Sequence, residues 1–271
     1  ARRDAARHAA AGAATARDAA AGCSGRRVLR DLATVAQALR HRPVTVPLGG
    51  GRTLRIDEQA LAATAYDAAL APELYTLLPS ALRQATAGRA EPLLTLVAQI
   101  QVAFAGLFSD GTVSLALNSA TACRDYPVAY DRAAPPAIRK RQFARALRAA
   151  GTRPFAPFSP QAWIAAVGDG GDSCIDWPDV SRGDDPTAGA ERPAVPTLVL
   201  EGDLDTNTPS SAGRLAARQF PGARFVELRN VAHTATDDTT GCALAIATRF
   251  IRTGATGDTA CARRIPPLRV G

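Results

Sequence analysis

Apolar residues recur at Val28, Leu29, Leu32, Val35, Ala36 and Leu39, the spacing of one helix face, and predict a helix over 28–41. Ahead of it, residues 1–22 are rich in Ala and Arg with helical character, and Gly25 is a plausible stop. Residues 43–47 read as extended, and Gly49-Gly50-Gly51 as a turn. Asp57 is placed to cap a helix from Glu58 to about Leu70. Pro72 can open a further helical stretch, and 79–87 reads as helical up to Gly88. A strong amphipathic helix is predicted over 91–108 and another over 137–150, ended by Gly151. Residues 110–118 fit no single period, and 119–123 reads as a loop-facing segment. Residues 151–194, rich in Pro, Gly and Asp, are expected to be mostly loop with one short helix.

The pattern then changes. Residues 196–201 form a short apolar β run closed by Gly202-Asp203, and 211–219 has helix spacing. Pro221-Gly222 marks a turn, 224–228 a second strand, and 242–252 a last helix. Strand, loop, helix, strand, loop, helix is the edge of a parallel sheet with helices packed on it. Two strands cannot stand alone as such a domain, and residues 1–190 do not obviously supply more. The sheet is therefore expected to be truncated in this chain.

Composition narrows the options. A chain of 271 residues with 46% hydrophobic and 21% charged residues can bury a large core. The net charge of +7 comes almost wholly from arginine, since Lys140 is the only lysine. The arginines are scattered, often beside acids, and no basic run is interleaved with aromatics, so a nucleic-acid partner is not expected. The most apolar windows are too short or too interrupted to span a bilayer. The sequence begins without Met inside a helical run, which leads to the expectation that further residues precede Ala1.

Five cysteines carry information by their placement. Cys242 and Cys261 bracket one short helix and a loop, while Cys123 and Cys174 each sit beside a polar turn. No CxxC or His cluster supports a metal site, and no cofactor is implied. Disulfides 123–174 and 242–261 fit better and imply an oxidising compartment, so a secreted or extracytoplasmic protein. Cys23 is left either as a buried thiol or with a partner outside this sequence.

In a parallel α/β sheet, functional groups gather at the carboxyl ends of strands. Asp203, Asp205 and His233 all lie just past predicted strand ends, on loops that follow sequential strands. A buried carboxylate beside an imidazole fixes its tautomer, and the imidazole can then shuttle a serine proton to a leaving group. Aspartate before histidine is the chain order of a triad whose serine comes first. His8 and His41 sit in helical or turn contexts and are expected at the surface.

The run Val195-Pro-Thr-Leu-Val-Leu-Glu-Gly-Asp-Leu-Asp-Thr-Asn-Thr-Pro209 resembles the acid loop of α/β-hydrolases, and Val231-Ala-His-Thr resembles their histidine loop, with Ala-His-Thr where many relatives have Gly-His-Gly. The region from Cys242 to Cys261, with Ala-Thr-Ala-Cys123-Arg-Asp125 and Ser-Cys174-Ile-Asp-Trp177-Pro, is similar to secreted tripeptidyl-aminopeptidase-like hydrolases of the S33 peptidase type. The resemblance covers the chain from roughly Cys23 onward and implies an α/β-hydrolase fold, of which this is the C-terminal portion. It implies three segments: 1–24, the end of an N-terminal core segment or a linker; 25–190, a large inserted helical cap or lid; and 191–271, the C-terminal part of the core. By its spacing from Gly202 and Pro209, Asp205 is the acid, and Asp203 caps or braces the loop; His233 is the base.

The nucleophile is missing. A nucleophile elbow needs Gly-x-Ser-x-Gly between a strand and a helix, and no such pentapeptide occurs. Ser24, in Gly22-Cys-Ser-Gly25, is out of register, and Ser173 lies too close to Asp205 to leave room for another strand and a cap. The resemblance places the serine in an N-terminal segment upstream of residue 1, so this chain alone is expected to be inactive. The expected whole enzyme is a serine hydrolase cleaving peptide bonds at the N-terminus of small peptides. Alternatives are an esterase or other acyl hydrolase on the same triad, or a non-catalytic binding member. An exopeptidase must bind a free ammonium, for which Asp125, Asp176 and Glu73 are candidate substrate carboxylates; surface solvation or helix capping is the ordinary reading of each.

Overall fold

The computed structural model describes residues 25–68, 70, 72–109, 111, 113–167, 173–178, 189 and 191–270. His8, Cys23 and Ser24 lie outside the described residues. The chain divides into two compact units. The first takes in residues 26–66 and the described part of 81–186; the second takes in 67–80 and the described part of 187–271.

The first unit opens on helix α1 (Gly25–His41), whose buried face is Leu32, Val35, Ala36 and Leu39, the stripe the spacing predicts. An antiparallel hairpin follows, β1 (Val44–Gly49) with β2 (Arg52–Ile56). Its turn uses Gly49, Gly50 and Gly51, all at positive φ, where a side chain would be strained. The strand β2 was not expected: Arg52 and Arg55 mask a short run of which only Ile56 is fully buried. Helix α2 (Glu58–Asp67) starts at Asp57, whose Oδ1 accepts the Ala60 amide at 3.2 Å, as its N-cap role requires.

Helix α3 (Glu73–Thr86) is continuous through Pro79, where the sequence suggested two helical pieces. Its first half groups with the second unit and its second half with the first. Helix α4 (Glu91–Ser109) buries Leu93, Val97 and Ile100 and packs on the hairpin. Helix α5 (Leu115–Asp125) corrects the expectation of a loop over 119–123. Ser114 Oγ accepts the Leu117 amide at 3.3 Å, and this cap turns an Ala-rich run into a helix that carries Cys123 on its buried side.

Helix α6 (Pro136–Ala150) presents one buried arginine. Arg139 donates to the carbonyls of Ala134 (2.7 Å), Ile175 (3.2 Å) and Trp177 (2.7 Å), and also to that of Arg132. Those bonds fix the turn that holds Cys174, which is joined to Cys123. A short helix, α7 (Pro160–Val167), stacks Trp163 on Phe158 and edge-on to Tyr66. Buried Glu58 accepts from Arg40, from the Ser159 amide and from the Ser159 hydroxyl, tying α1, α2 and the start of α7 together. The region 25–167 is thus helical with one β-hairpin.

The second unit carries the parallel pair β3 (Leu198–Gly202) and β4 (Arg224–Leu228), in register Leu198 to Arg224 through Gly202 to Leu228. Helix α8 (Ser210–Ala217) connects them. Helix α9 (Cys242–Thr253) and a 3-10 turn (Ala260–Arg264) follow, joined by the Cys242–Cys261 disulfide. Val226, Leu228, Val231, Ala243, Ile246, Ala262 and Ile265 close one apolar core beneath the strand ends. The two strands pair only with each other among the described residues.

Candidate active site

Both loops of interest leave the same ends of the parallel strands. Gly202 terminates β3 where the chain must pass the histidine loop, and a Cβ there would overlap the carbonyl oxygens of Val231 and Ala232. Backbone bonds stitch the two loops directly: Asp203 donates to Leu228 O at 3.0 Å, and Leu204 donates to Val231 O at 2.9 Å. Asp203 Oδ1 accepts the Asn230 amide at 2.6 Å. Burial pushes the Asp203 carboxyl up despite that bond.

Asp205 is 2% exposed and accepts hydrogen bonds on both carboxylate oxygens. Its Oδ1 accepts the amides of Asn207 and Thr208, each at 2.8 Å, the turn in which an Asx side chain replaces a backbone acceptor. Its Oδ2 accepts the Thr208 hydroxyl at 2.7 Å and His233 Nδ1–H at 2.9 Å. Burial alone would raise the Asp205 pKa, but bonds from Thr208, His233 and Asn207 outweigh it and hold the carboxyl below its ordinary value. Asp205 therefore stays ionised and can only accept, which assigns the shared proton to His233 Nδ1. Thr208 Oγ, 3.2 Å from the same Nδ1, confines the ring laterally. The imidazole is partly open, at 30% exposure.

Three further side chains shape this loop. Glu201, the last side chain of β3, is 7% exposed and is pushed up to about 7. Burial is the main cause, followed by its contact with Asp205 and the charge of Glu227. It lies against Gly213 of α8, where a Cβ would strike its Oε2. Tyr75 of α3 donates to Leu204 O at 2.9 Å, and burial raises its phenol to about 12. Asn230 holds a left-handed backbone, φ 60°, and donates from Nδ2 to Ile265 O at 2.8 Å. A charged residue inside an otherwise apolar strand was the available signal for Glu201; Asp-x-x-Thr before Pro209 was the signal for Thr208. Tyr75 and Asn230 carry no local signal.

The other candidate residues are not drawn to this pair by any side-chain bond. Glu73 is exposed in the first turn of α3. Asp125 is exposed beside Arg124, and exposed Asp176 pairs with Lys140 at 3.1 Å; both belong to the first unit. Ser173 is exposed in a turn with its hydroxyl 3.8 Å from Cys174 Sγ, and His41 is exposed at the end of α1. Both disulfides form, 123–174 and 242–261, which is compatible with an extracellular location. Among the described residues, no group of three or more His, Cys, Asp or Glu side chains could hold a metal, and no helix is long and apolar enough to cross a membrane.

Residues 159–261 match the family model described as TAP-like protein. The match spans α7, both strands of the parallel pair, Asp205, His233 and three of the four bridged cysteines. No curated protein and no solved structure matches the chain.

Proposed function

We propose, from the match of residues 159–261 to the TAP-like family model, that Asp205 and His233 are the acid and the general base of a Ser-His-Asp triad. The observation that carries this reading is the Asp205 Oδ2–His233 Nδ1 bond of 2.9 Å, made by a carboxylate that is 2% exposed and held by three other donors. In this mechanism His233 Nε2 takes the proton of a serine hydroxyl as the oxygen attacks the acyl carbon. Asp205 stabilises the imidazolium that forms, and the ring returns the proton to the leaving group as the bond breaks. Water then repeats the sequence on the acyl-enzyme.

No Gly-x-Ser-x-Gly occurs in the sequence, so the serine is supplied by a segment outside it. The substrates are small peptides cut at the N-terminus, and the protein works outside the cytoplasm, where the two disulfides persist. The test is turnover of aminoacyl-p-nitroanilides and of p-nitrophenyl acetate, by this chain and by the chain extended with its upstream coding sequence. The extended protein should cleave the anilides, and His233→Ala should abolish this. Turnover of esters alone makes the protein an esterase. Turnover by the 271-residue chain that needs His233 overturns the external serine. Inactivity of an extended protein that carries the pentapeptide overturns the hydrolase reading.

A further inference from the structure

The histidine loop is held from behind by the segment that follows the 3-10 turn Ala260–Arg264, and one residue makes the connection. Asn230 stands three residues before His233, between β4 and the imidazole. It is the only non-glycine with a left-handed backbone among the described residues, at φ 60°. Asparagine tolerates that region better than most residues, but a conformation this uncommon persists only where its surroundings fix it. Here they do so from two sides. The Asn230 amide donates to Asp203 Oδ1 at 2.6 Å, on the acid loop. The side-chain Nδ2 donates to Ile265 O at 2.8 Å, on the C-terminal segment.

That segment is fixed in turn. Cys261, in the 3-10 turn, is bonded to Cys242 at the start of α9. Arg229, next to Asn230, donates its amide to Ala262 O at 2.9 Å. Ala262 and Ile265 are buried with Leu228 and Val231, the residues that flank the Asn230 turn. The 3-10 turn, the disulfide and the histidine loop therefore form one connected body, and Asn230 alone in it bonds both the acid loop and the C-terminal segment by its own donors.

We propose that Asn230 is a positioning residue, which couples the disulfide-held C-terminal segment to the register of His233 against Asp205. The proposal rests on the reading of His233 as the general base, but the position of the ring can be measured without catalysis. Movement of the histidine loop lengthens the 2.9 Å bond, because Asp205 is held from its own side by the amides of Asn207 and Thr208, the Thr208 hydroxyl and Glu201. Cutting the Asn230 tie should therefore appear first in the imidazole.

The experiment is nitrogen-resolved NMR of His233 in the 271-residue chain, with Asn230→Gly and Asn230→Asp. Glycine accepts the backbone angle and lacks the side chain; aspartate keeps the size but turns an acceptor toward Ile265 O. Both should move the His233 ring-nitrogen resonances and speed exchange of the Nδ1 proton, while the fold is retained. Reduction of Cys242–Cys261, or Cys242→Ser with Cys261→Ser, should move the same signals in the same direction. Combined with Asn230→Gly it should add little, because both act through one tie. His233 ring resonances and Nδ1 proton exchange unchanged in the glycine and aspartate variants overturn the proposal, as does full additivity with reduction. If the signals move as expected but His233→Ala leaves turnover of the extended enzyme intact, the triad reading fails and the mechanical coupling stands.

Discussion

Replacing Glu201 by glutamine should stabilise the second unit at alkaline pH and leave it unchanged in acid. Glu201 is buried beside Asp205, and its carboxyl is raised from 4.5 to about 7. In the unfolded chain it ionises near its ordinary value, so between the two values the native state binds the extra proton. Stability therefore falls as pH rises through this window and levels off above it. The interval is about 7 less 4.5, or roughly 2.5 pH units, and at about 1.4 kcal/mol per unit the loss is about 3 kcal/mol. Glutamine has nearly the same shape, stays neutral and still offers an N–H to Asp205. The variant and the parent should thus coincide near pH 4 and separate by about 3 kcal/mol at pH 8. Asp67 is also raised to about 7 by burial and adds the same slope to both proteins, so the difference between them is the quantity to read. Both tryptophans, Trp163 and Trp177, lie in the first unit and report on the wrong body. Native-state hydrogen exchange of the β3 and β4 amides reads the right one. A difference that stays constant with pH would mean that Glu201 acts by packing alone, and a variant less stable at pH 8 would refute the charge argument outright.

Other outcomes follow from the same geometry. Asp205→Asn should lower kcat of the extended enzyme by about 10⁴, because the amide favours the wrong imidazole tautomer, with KM little changed in steady-state assays. Thr208→Val removes the hydroxyl bond to Asp205; the Asp205 pKa should rise towards its ordinary value, so that stability lost on acidification is lost at higher pH, visible in acid titration followed by exchange. Gly202→Ala should prevent folding of the second unit or destabilise it by about 3 kcal/mol, since the overlap is with backbone oxygens that cannot step aside; urea titration of the variant checks this. Arg139→Leu strips one buried and three partly buried carbonyls of a donor and should destabilise the first unit by about 2 kcal/mol or more, read by tryptophan fluorescence.

What the sequence disclosed, and what it hid, divides along a physical line. Strands β3 and β4, their loops and the four bridged cysteines were legible because each is encoded within a few residues: an apolar run, a Gly-Asp stop, a cysteine beside a turn. The amphipathic stripes of α1 and α4 were legible for the same reason. The strand β2 was not, because a hairpin with one apolar face on α4 can carry arginines on the other. Helix α5 was hidden because its evidence is a single serine hydroxyl at the cap rather than a period. At the site, the Asp205 turn could have been read from Asp-x-Asn-Thr spacing, while Asn230 and Tyr75 act through partners 35 and 129 residues away, which no local pattern records.

Tyr75 carries a consequence for how the molecule is made. It leaves the ribosome 129 residues before its acceptor at Leu204, a wait of roughly 6 to 26 seconds at common translation speeds. Over that interval Leu74, buried in the finished second unit, precedes most of the residues of that unit. The first half of α3 thus has its burial completed late in synthesis. Ribosome-stalled chains ending before residue 198 should be cut readily by protease around Leu74, and chains ending well after 265 should resist. The acid loop, by arriving late, closes the contact that Tyr75 makes with Leu204.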